Sequence, residues 1–283
     1  MIIPGQGARD GAARAAGGAP RARGVARALL LAALALSALA PFALLAVQSG
    51  ASGWYYPALV PPALDAGAWT GALAGGSALA DALTTSALLA AGVAALATAV
   101  ALPAGRAMAR LPGPARHVAA AAVFLPVAAP PIALGTGLQV VLLAAGLGGT
   151  AAGVLVAHLV PAVGYLALFF LGVFDADDER PEEAARTLGA TWAQTAWLVT
   201  LPRLARPIGE AAALGFLVSW SQFALTLTIG AGAVRTLPLE VYALVRAGQD
   251  REAAVGALLL TVPAMLALAA LRWAARRTDA LPA

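Results

Sequence analysis

The segment from Val118 to Phe174 contains no Asp, Glu, Lys or Arg. A helix crosses the hydrocarbon core of a bilayer with roughly 20 residues, so this segment is about twice as long as a single crossing needs. Glycines at 146–149 supply a natural turn near its middle. The segment therefore predicts two membrane helices, at 118–144 and at 151–174, and an all-α, polytopic chain.

Apolar runs of similar length occur on both sides of this segment. The chain has 283 residues, of which 61% are hydrophobic and only 11% are charged, whereas a soluble domain of this length exposes far more charge. We predict six crossings, at 28–47, 82–105, 118–144, 151–174, 208–229 and 253–271. Pro126, Pro130 and Pro131 predict that the third crossing is kinked or broken, which is tolerated where protein or a water-filled cavity covers the break.

Arginines predict the orientation of the chain. All 18 basic residues are arginines, and with the amino terminus inside, fifteen of them fall on the inner side. This asymmetry favours amino and carboxyl termini that are both cytoplasmic. The Gly-, Ala- and Arg-rich residues 1–27 are predicted to be a disordered cytoplasmic tail, and residues 278–283 a second, shorter one.

A polar segment at residues 181–202, here called the elbow, separates the fourth and fifth apolar runs. Pro181 suits the first position of a helix, and Glu182 and Glu183 suit its positive end. Gly189 is placed to adopt the left-handed conformation that ends such a helix. The elbow is therefore predicted to begin with a short helix that ends at a bend.

A second helix is predicted in the same segment. Thr191 and Gln194 have the spacing of a capping box, in which each side chain accepts a hydrogen bond from a backbone N–H of the other residue. Trp192 and Ala196 then fall along one side of the helix, which is expected to end near Pro202. The elbow is thus predicted to be a stiff pair of short helices.

These residues carry a specific resemblance. Glu183-Ala184-Ala185 is followed after three residues by Gly189 and after nine more by Val199-Thr200-Leu201-Pro202. The pattern resembles the EAA loop of binding-protein-dependent ABC transporter permeases. The resemblance implies a type I ABC importer permease fold. Its expected parts are a transmembrane permease domain at 28–277, a core at 78–275 and a cytoplasmic coupling loop at 175–207.

The resemblance also implies which residues couple the chain to an ATPase subunit. They are Glu183, Ala184, Ala185, Gly189, Leu201 and Pro202. By this likeness Glu183 makes a polar contact with the ATPase or braces the elbow. Ala184 and Ala185 keep the contact face small, and Gly189 permits the bend.

Any ATP-driven work has to be powered by another chain. Because the sequence has no lysine, it lacks the residue that a Walker A phosphate loop places against the nucleotide. The resemblance implies that two partner ATPase subunits bind ATP, so that this chain is non-catalytic and holds no cofactor. It also implies a second permease subunit, identical or homologous, and an extracytoplasmic solute-binding protein at a bacterial inner membrane. The net charge of +4 fits membrane orientation and lipid contact better than nucleic acid.

Polar residues inside the predicted crossings are few. The candidates for a translocation path are Gln139, His158, Ser219, Trp220, Ser221 and Gln222. In hydrocarbon such side chains turn toward other helices or toward a cavity. Two interpretations stay open: hydrogen bonds between helices, or the wall of a path. The segment at 219–223 also resembles the polyamine, thiamine, iron and aminoethylphosphonate branch of the family.

Two other functions and a metal site are alternatives. A secondary transporter or channel needs no ATPase, but the inverted repeats or intramembrane charges expected of one are not evident. Gly50-Ala51-Ser52-Gly53 together with His158 would suggest an intramembrane serine protease, which needs a base within hydrogen-bond reach of the serine. The acidic residues at 175–179 lack the spacing of a calcium loop, so a solvated turn is expected there.

Overall fold

The computed structural model describes residues 7–55, 57–178 and 180–278, with side chains at 24, 27–55, 57–178, 180–267 and 269–270. The helices are α1 (Gly7–Gly50), α2 (Gly67–Ala72), α3 (Ala78–Ala109), α4 (Gly113–Ala128), α5 (Pro131–Ala144), α6 (Ala151–Ala176), α7 (Arg180–Thr187), α8 (Trp192–Thr195), α9 (Leu201–Trp220), α10 (Ala224–Gly230), α11 (Leu237–Arg246) and α12 (Asp250–Thr278). A π-helical segment, Ala196–Thr200, joins α8 to α9. Two short antiparallel strands, β1 (Ala51–Ser52) and β2 (Ala63–Leu64), pair with each other. The chain is thus built almost wholly of helices, as predicted.

The centre of the fold is a bundle of α3, α6 and α9. Buried side chains from all three helices, such as Val93, Phe170 and Ala211, form one apolar core. Helices α3 and α6 approach closely at Gly105, where an added Cβ would lie 2.5 Å from the Cβ of Phe170 and 2.9 Å from the backbone N of Leu171. Only a residue without a side chain fits there, so backbone contact joins the two helices near the elbow.

Helix length and apolar composition agree with most of the predicted crossings. Among the described residues, three helices are long and apolar enough to cross a membrane, at Arg27–Gly50, Ala78–Ala109 and Ala151–Ala176. Two bent helix pairs bring the number of such segments to as many as five. The predicted sixth crossing, 253–271, falls within α12, whose side chains at 268 and 271–278 lie outside the described residues.

The amino-terminal segment differs from its prediction. Disorder was predicted for residues 1–27, but α1 begins at Gly7 and continues without interruption to Gly50. Alanine has the highest intrinsic helix propensity and arginine ranks close behind it, so an Ala- and Arg-rich stretch extends the membrane helix that follows. The predicted tail residues 1–6 and 279–283 lie outside the described residues.

The third predicted crossing is broken, as its prolines predicted. Helix α4 ends at Ala128, α5 begins at Pro131, and the two helices are bent by 98° relative to each other. Pro130 and Pro131 lack the N–H groups that would continue the helix, and they restrict the residues before them. After the break the chain changes neighbours: α4 packs against α6, whereas α5 packs mainly against α10.

The fifth predicted crossing is also broken, which was not predicted. Helix α9 ends at Trp220, α10 begins at Ala224, and the bend between the continuous helical segment Trp192–Trp220 and α10 is 60°. Residues 221–223 include neither glycine nor proline, so no local helix breaker marked the site. Helix α10 packs against α5 and α6, and these contacts set its direction.

The loop between α1 and α3 has secondary structure of its own. The loop at 48–76 contains the β1–β2 pair and α2, and Trp69 Nε1 donates to Ser49 Oγ at 3.1 Å. Arg251, at the start of α12, donates to Asp65 Oδ1 at 2.6 Å. This hydrogen bond, together with one from Gly67 N, lowers the pKa of the Asp65 carboxyl. The first loop is therefore tied to the last helix.

Candidate coupling elbow and buried polar cluster

The first helix of the elbow, α7, forms as predicted. Glu182 and Glu183 occupy its first turn and Arg186 its last turn, so the side-chain charges at both ends complement the helix dipole. Gly189 has a φ of +90°, and its N–H donates to the carbonyl of Arg186 at 2.9 Å. A left-handed glycine therefore ends α7 and turns the chain.

The second helix begins as predicted but does not end as predicted. Gln194 N donates to Thr191 Oγ1 at 3.3 Å, and Thr191 N donates to Gln194 Oε1 at 2.8 Å, which completes the capping box. The predicted end near Pro202 is wrong, because the helix continues through the π-helical segment into α9, with Pro202 in the first turn of α9. The wider π-helical turn accommodates the proline ring and its missing N–H. The elbow is thus continuous with a membrane helix.

The outer surface of the elbow combines polar and small residues with two large apolar side chains. Glu183 and Ala184 are exposed, and Ala185 is half-buried. On either side of the bend, Leu188 and Trp192 leave 89% and 74% of their surfaces exposed. Large apolar side chains exposed beside a polar helix are typical of a surface that another molecule covers.

A buried carboxylate that was not among the predicted site residues anchors α7. Glu182 is only 4% exposed. Thr200 Oγ1 donates to Glu182 Oε1 at 2.7 Å, and the Arg106 guanidinium pairs with Glu182 Oε2. Of the two roles expected for Glu183, bracing the elbow therefore falls to its neighbour. The sequence alone does not distinguish the two adjacent glutamates. The packing of α7 decides which one faces inward.

This Arg106–Glu182–Thr200 clamp holds its carboxylate in the ionised form. Burial of Glu182 opposes ionisation, but the hydrogen bonds from Thr200 and Arg106 more than offset it, so the pKa lies below its ordinary value of 4.5. The Arg106 guanidinium also lies 5.6 Å from the ring centroid of Phe174, within cation–π range. The clamp therefore joins α7 to α3, α6 and the π-helical segment.

The acidic turn before the elbow is held by arginines from other helices. Arg116 of α4 pairs with Asp175. Arg203 of α9 donates to Asp177 Oδ1 at 2.6 Å and to the carbonyl of Asp178 at 2.9 Å. The turn is thus ion-paired rather than merely solvated. Within 7–55, 57–178 and 180–278, no three His, Cys, Asp or Glu residues are grouped so that they could hold a metal ion.

An apolar groove of about 320 Å³ opens between the elbow and the bundle. Its walls are Leu102, Pro103, Arg106, Phe174, Trp192, Ala196, Trp197, Thr200, Leu201 and Leu204. Leu201, a predicted ATPase contact, lines this groove and is half-buried. It therefore lies at the root of the elbow, apart from the exposed Glu183 and Ala184.

The polar residues predicted inside the crossings meet at one fully buried histidine. His158 of α6 has Nδ1 2.9 Å from Ser219 Oγ and Nε2 3.0 Å from Thr226 Oγ1. Both hydroxyl residues are buried. For His158 and Ser219 the structure therefore favours hydrogen bonds between helices over an exposed path wall. Thr226 was not among the predicted site residues.

The side chains of the other predicted path residues do not join this cluster. Trp220 is buried and donates from Nε1 to the carbonyl of Leu260 in α12 at 3.0 Å. Ser221 is exposed, and its hydroxyl donates to carbonyls of its own helix one turn earlier. Gln139 and Gln222 are half-buried. The predicted set thus divides into a core network and separate packing or surface residues.

The serine protease alternative finds no support in this arrangement. Ser52 lies in β1, where its hydroxyl interacts with Asp65. Both ring nitrogens of His158 face other hydroxyls, those of Ser219 and Thr226. Ser52 and His158 are therefore not a nucleophile and its base.

These features define a class before any comparison: a multi-span helical membrane protein with a capped, clamped elbow that continues directly into a membrane helix. Comparison with known protein families identifies the family within this class. Residues 101–280 match the family described as binding-protein-dependent transport system inner membrane components. Because the match covers more than half of the sequence, the chain belongs to this family.

Individual relatives agree with the family. The molybdenum transport system permease proteins ModB of Mycobacterium bovis and Mycobacterium tuberculosis are each 32% identical to the chain over 161 residues, covering 52% of this chain and 61% of theirs. The inner membrane ABC transporter permease protein YnjC of Escherichia coli is 32% identical over 128 residues, 45% of this chain and 25% of that protein. The chain thus spans about three fifths of the length of the mycobacterial relatives.

A solved structure shows the same fold. It is a crystal structure of a bacterial ABC transporter involved in the import of the acidic polysaccharide alginate, with a TM-score of 0.65 and 19% sequence identity. The similarity covers 90% of this chain and 96% of that chain. The predicted ABC importer permease fold is confirmed.

Proposed function

We propose that the chain is a permease subunit of an ABC importer, which forms part of the translocation pathway and couples to a separate ATPase through the elbow. The observation that carries this proposal is an exposed elbow surface whose root is buried in the Arg106–Glu182–Thr200 clamp. A surface that receives force has to be accessible and firmly connected to the part that moves. The elbow meets both requirements.

The contacts of the elbow define a path for the force. From α7, Glu182 contacts α3 through Arg106 and the π-helical segment through Thr200. That segment continues into α9. Movement of α7 therefore moves α3 and α9 as one unit, because separating a buried ion pair is costly. ATP-driven closure of the partner subunits would tilt these helices and switch access from one side of the membrane to the other.

The assembly follows from the same proposal. Two ATPase subunits bind the elbows of two permease subunits, which are copies of this chain or of a homologue. A solute-binding protein delivers the cargo on the opposite side. The chain lies in a bacterial inner membrane with both termini cytoplasmic, as the arginine distribution predicts. ATP hydrolysis belongs to the partner, and this chain performs no catalysis and holds no cofactor.

Cargo is assigned to the solute-binding protein rather than to this chain. The relatives are named for different cargoes, molybdenum for ModB and alginate for the solved transporter. The buried cluster around His158 consists of neutral hydroxyls and an imidazole already bonded to one another, so it offers no free group to select a solute. Purifying the complex with its solute-binding protein and measuring which solute binds will identify the cargo.

The coupling proposal is tested with a matched pair of glycine substitutions. An added Cβ meets no atom within 4 Å at either Gly189 or Gly209, but only Gly189 has a positive φ. A β-branched residue is strained in that conformation, so Gly189→Val should distort the bend. We expect Gly189→Val to reach the membrane and to bind the ATPase subunit while uptake per ATP hydrolysed falls severalfold. Gly209→Val should behave as the unchanged protein, and unimpaired coupling in Gly189→Val would contradict the proposal.

Orientation and partner have direct tests. The chain has no cysteine, so a single Thr187→Cys substitution on the exposed side of α7 reports which side of the membrane the elbow faces. We expect an impermeant maleimide to label this cysteine only from the cytoplasmic side. Labelling from outside would overturn the coupling role. Co-purification of an ATP-hydrolysing subunit separates an ABC permease from a secondary transporter.

A further inference from the structure

The half-helix α10 is held in place by its neighbours rather than by the helix that precedes it. After the 60° bend at 221–223, α10 lies against α5 and α6. Gly135 of α5 approaches so closely that an added Cβ would lie 2.5 Å from Thr228 Oγ1. At the next residue of α10, the carbonyl of Ile229 accepts a hydrogen bond from Gly149 N at 2.9 Å. The direction of α10 thus depends on specific contacts across the bundle.

His158 connects the two sides of this break. Its Nδ1 contacts Ser219, in the last turn of α9, and its Nε2 contacts Thr226, in the first turn of α10. The imidazole is fully buried in α6. One rigid ring therefore sets the distance and angle between two helix ends that no regular backbone hydrogen bonding connects.

The hydrogen-bond pattern fits a neutral imidazole that is protonated on Nε2. Thr226 Oγ1 donates its single proton to the carbonyl of Gln222 at 3.2 Å. With that proton so placed, the hydroxyl accepts from the N–H at Nε2 of the ring. Nδ1 is then the acceptor for the Ser219 hydroxyl. A neutral ring satisfies every one of these groups, as a site in the apolar interior requires.

We propose that His158 is a positioning residue that sets the resting direction of α10, and with it the placement of the half-helix pair α5 and α10. Two hydrogen bonds between neutral groups define the direction of α10. They are weak enough to break and form again while the helices move. This positioning role follows from the contacts of His158 alone. Its consequence for transport, that release of α10 changes access to the pathway, rests on the proposed function.

The absence of cysteine makes a direct test possible. Thr228→Cys places a half-buried thiol on α10 against Gly135. In the assembled transporter, the rate at which a small water-soluble maleimide labels this thiol reports how firmly α10 is seated. Thr226→Val removes, with little change in volume, the hydroxyl that bonds to His158 of α6 and to the Gln222 carbonyl just before α10. It should raise the labelling rate roughly three- to tenfold, the range expected for the loss of the one hydrogen bond between membrane helices. Thr226→Ser keeps the hydroxyl and should restore the original rate.

Two controls distinguish a positioning role of His158 from a general loosening of the helix bundle. Ser221→Ala removes a hydroxyl that contacts only its own helix, so Thr228→Cys should then label at the original rate. A second reporter, Ala212→Cys in α9, should be unaffected by Thr226→Val. The proposal is overturned if Thr226→Val leaves the labelling of Thr228→Cys unchanged, or if both reporters accelerate together. If the unsubstituted protein showed no ATP-dependent uptake, that result would contradict the proposed function only. The comparison of labelling rates does not depend on uptake.

Discussion

The two ends of the helix bundle are joined by different kinds of contact. At the elbow, ion pairs join α7 to α3, α4 to α6 and α9 to the turn after α6, and Gly105 brings α3 against the backbone of α6. At the half-helices, α10 is held by neutral hydrogen bonds to His158 and by a side-chain contact at Gly135. Of these ion pairs, Arg106–Glu182 is largely shielded from water and resists separation strongly, whereas hydrogen bonds between membrane helices average about 0.6 kcal/mol. One end is therefore suited to transmit a displacement and the other to undergo one.

The largest expected effect tests the close backbone contact. Gly105→Ala places a methyl group against the backbone of Phe170 and Leu171, which cannot move aside without separating α3 from α6. We expect a loss of about 3 kcal/mol in the free energy of unfolding, the upper part of the usual range for overpacking. Thermal unfolding of the purified protein measures it. Gly209→Ala, at an open position, should be neutral, and equal stability of the two variants would refute rigid packing at this end.

The clamp should give the next largest effect. Glu182→Leu or Arg106→Met alone leaves one partially buried charge without its partner, and should cost about 2–3 kcal/mol, somewhat less than a fully buried pair because Arg106 is 23% exposed. The double variant should lose less than the two single losses together, since neither charge is then left unpaired. Additive losses would show that the two side chains act independently.

A neighbouring ion pair provides the control for the clamp. Arg206 and Glu210, one turn apart in α9, have side chains that are 60% and 32% exposed. Exposed pairs of this kind contribute little to stability. Glu210→Ala should therefore leave the unfolding temperature nearly unchanged, in contrast to Glu182→Leu.

An added methyl group should destabilise the protein less at Gly135 of α5 than at Gly105. Gly135→Ala meets the hydroxyl of Thr228 at 2.5 Å, but this is the end of a side chain that can rotate. We expect a cost of about 1 kcal/mol, at the low end for overpacking. Thr228→Ala introduced together with Gly135→Ala should restore stability. A double variant as unstable as Gly105→Ala would show that the two ends of the bundle are equally rigid. That result would contradict the difference between the elbow and the half-helices.

The smallest expected effect is a pH dependence. Because the pKa of Glu182 lies below 4.5 in the folded protein, its ionised form stabilises the clamp fully at neutral pH. That contribution is lost as the pH falls below 4.5 and through the folded-state pKa. The unsubstituted protein should therefore lose its stability advantage over Glu182→Gln only in this acid range. An advantage that already shrinks between pH 7 and pH 5 would indicate a pKa that is raised rather than lowered.

Much of the elbow could be predicted because its signals are local. The capping box of Thr191 and Gln194 spans four residues, and the conformation of Gly189 depends on its own missing side chain. The break before Pro131 was likewise predictable, since proline prevents helix continuation by its own covalent structure. The continuation past Pro202 was not, because a π-helical turn accommodated the ring.

The sequence by itself determined that the chain spans a membrane, where its third crossing breaks and that a capped elbow interrupts its apolar runs, since each of these depends on residues close together in the chain. The tertiary structure alone decided that Glu182 rather than Glu183 braces the elbow, and that the fifth crossing breaks at 221–223. The partners in these cases are distant: Arg106 is 76 positions from Glu182, and His158 is 68 positions from Thr226. Which side chain of a short helix faces inward, and where a helix without a breaker bends, depend on what packs against it.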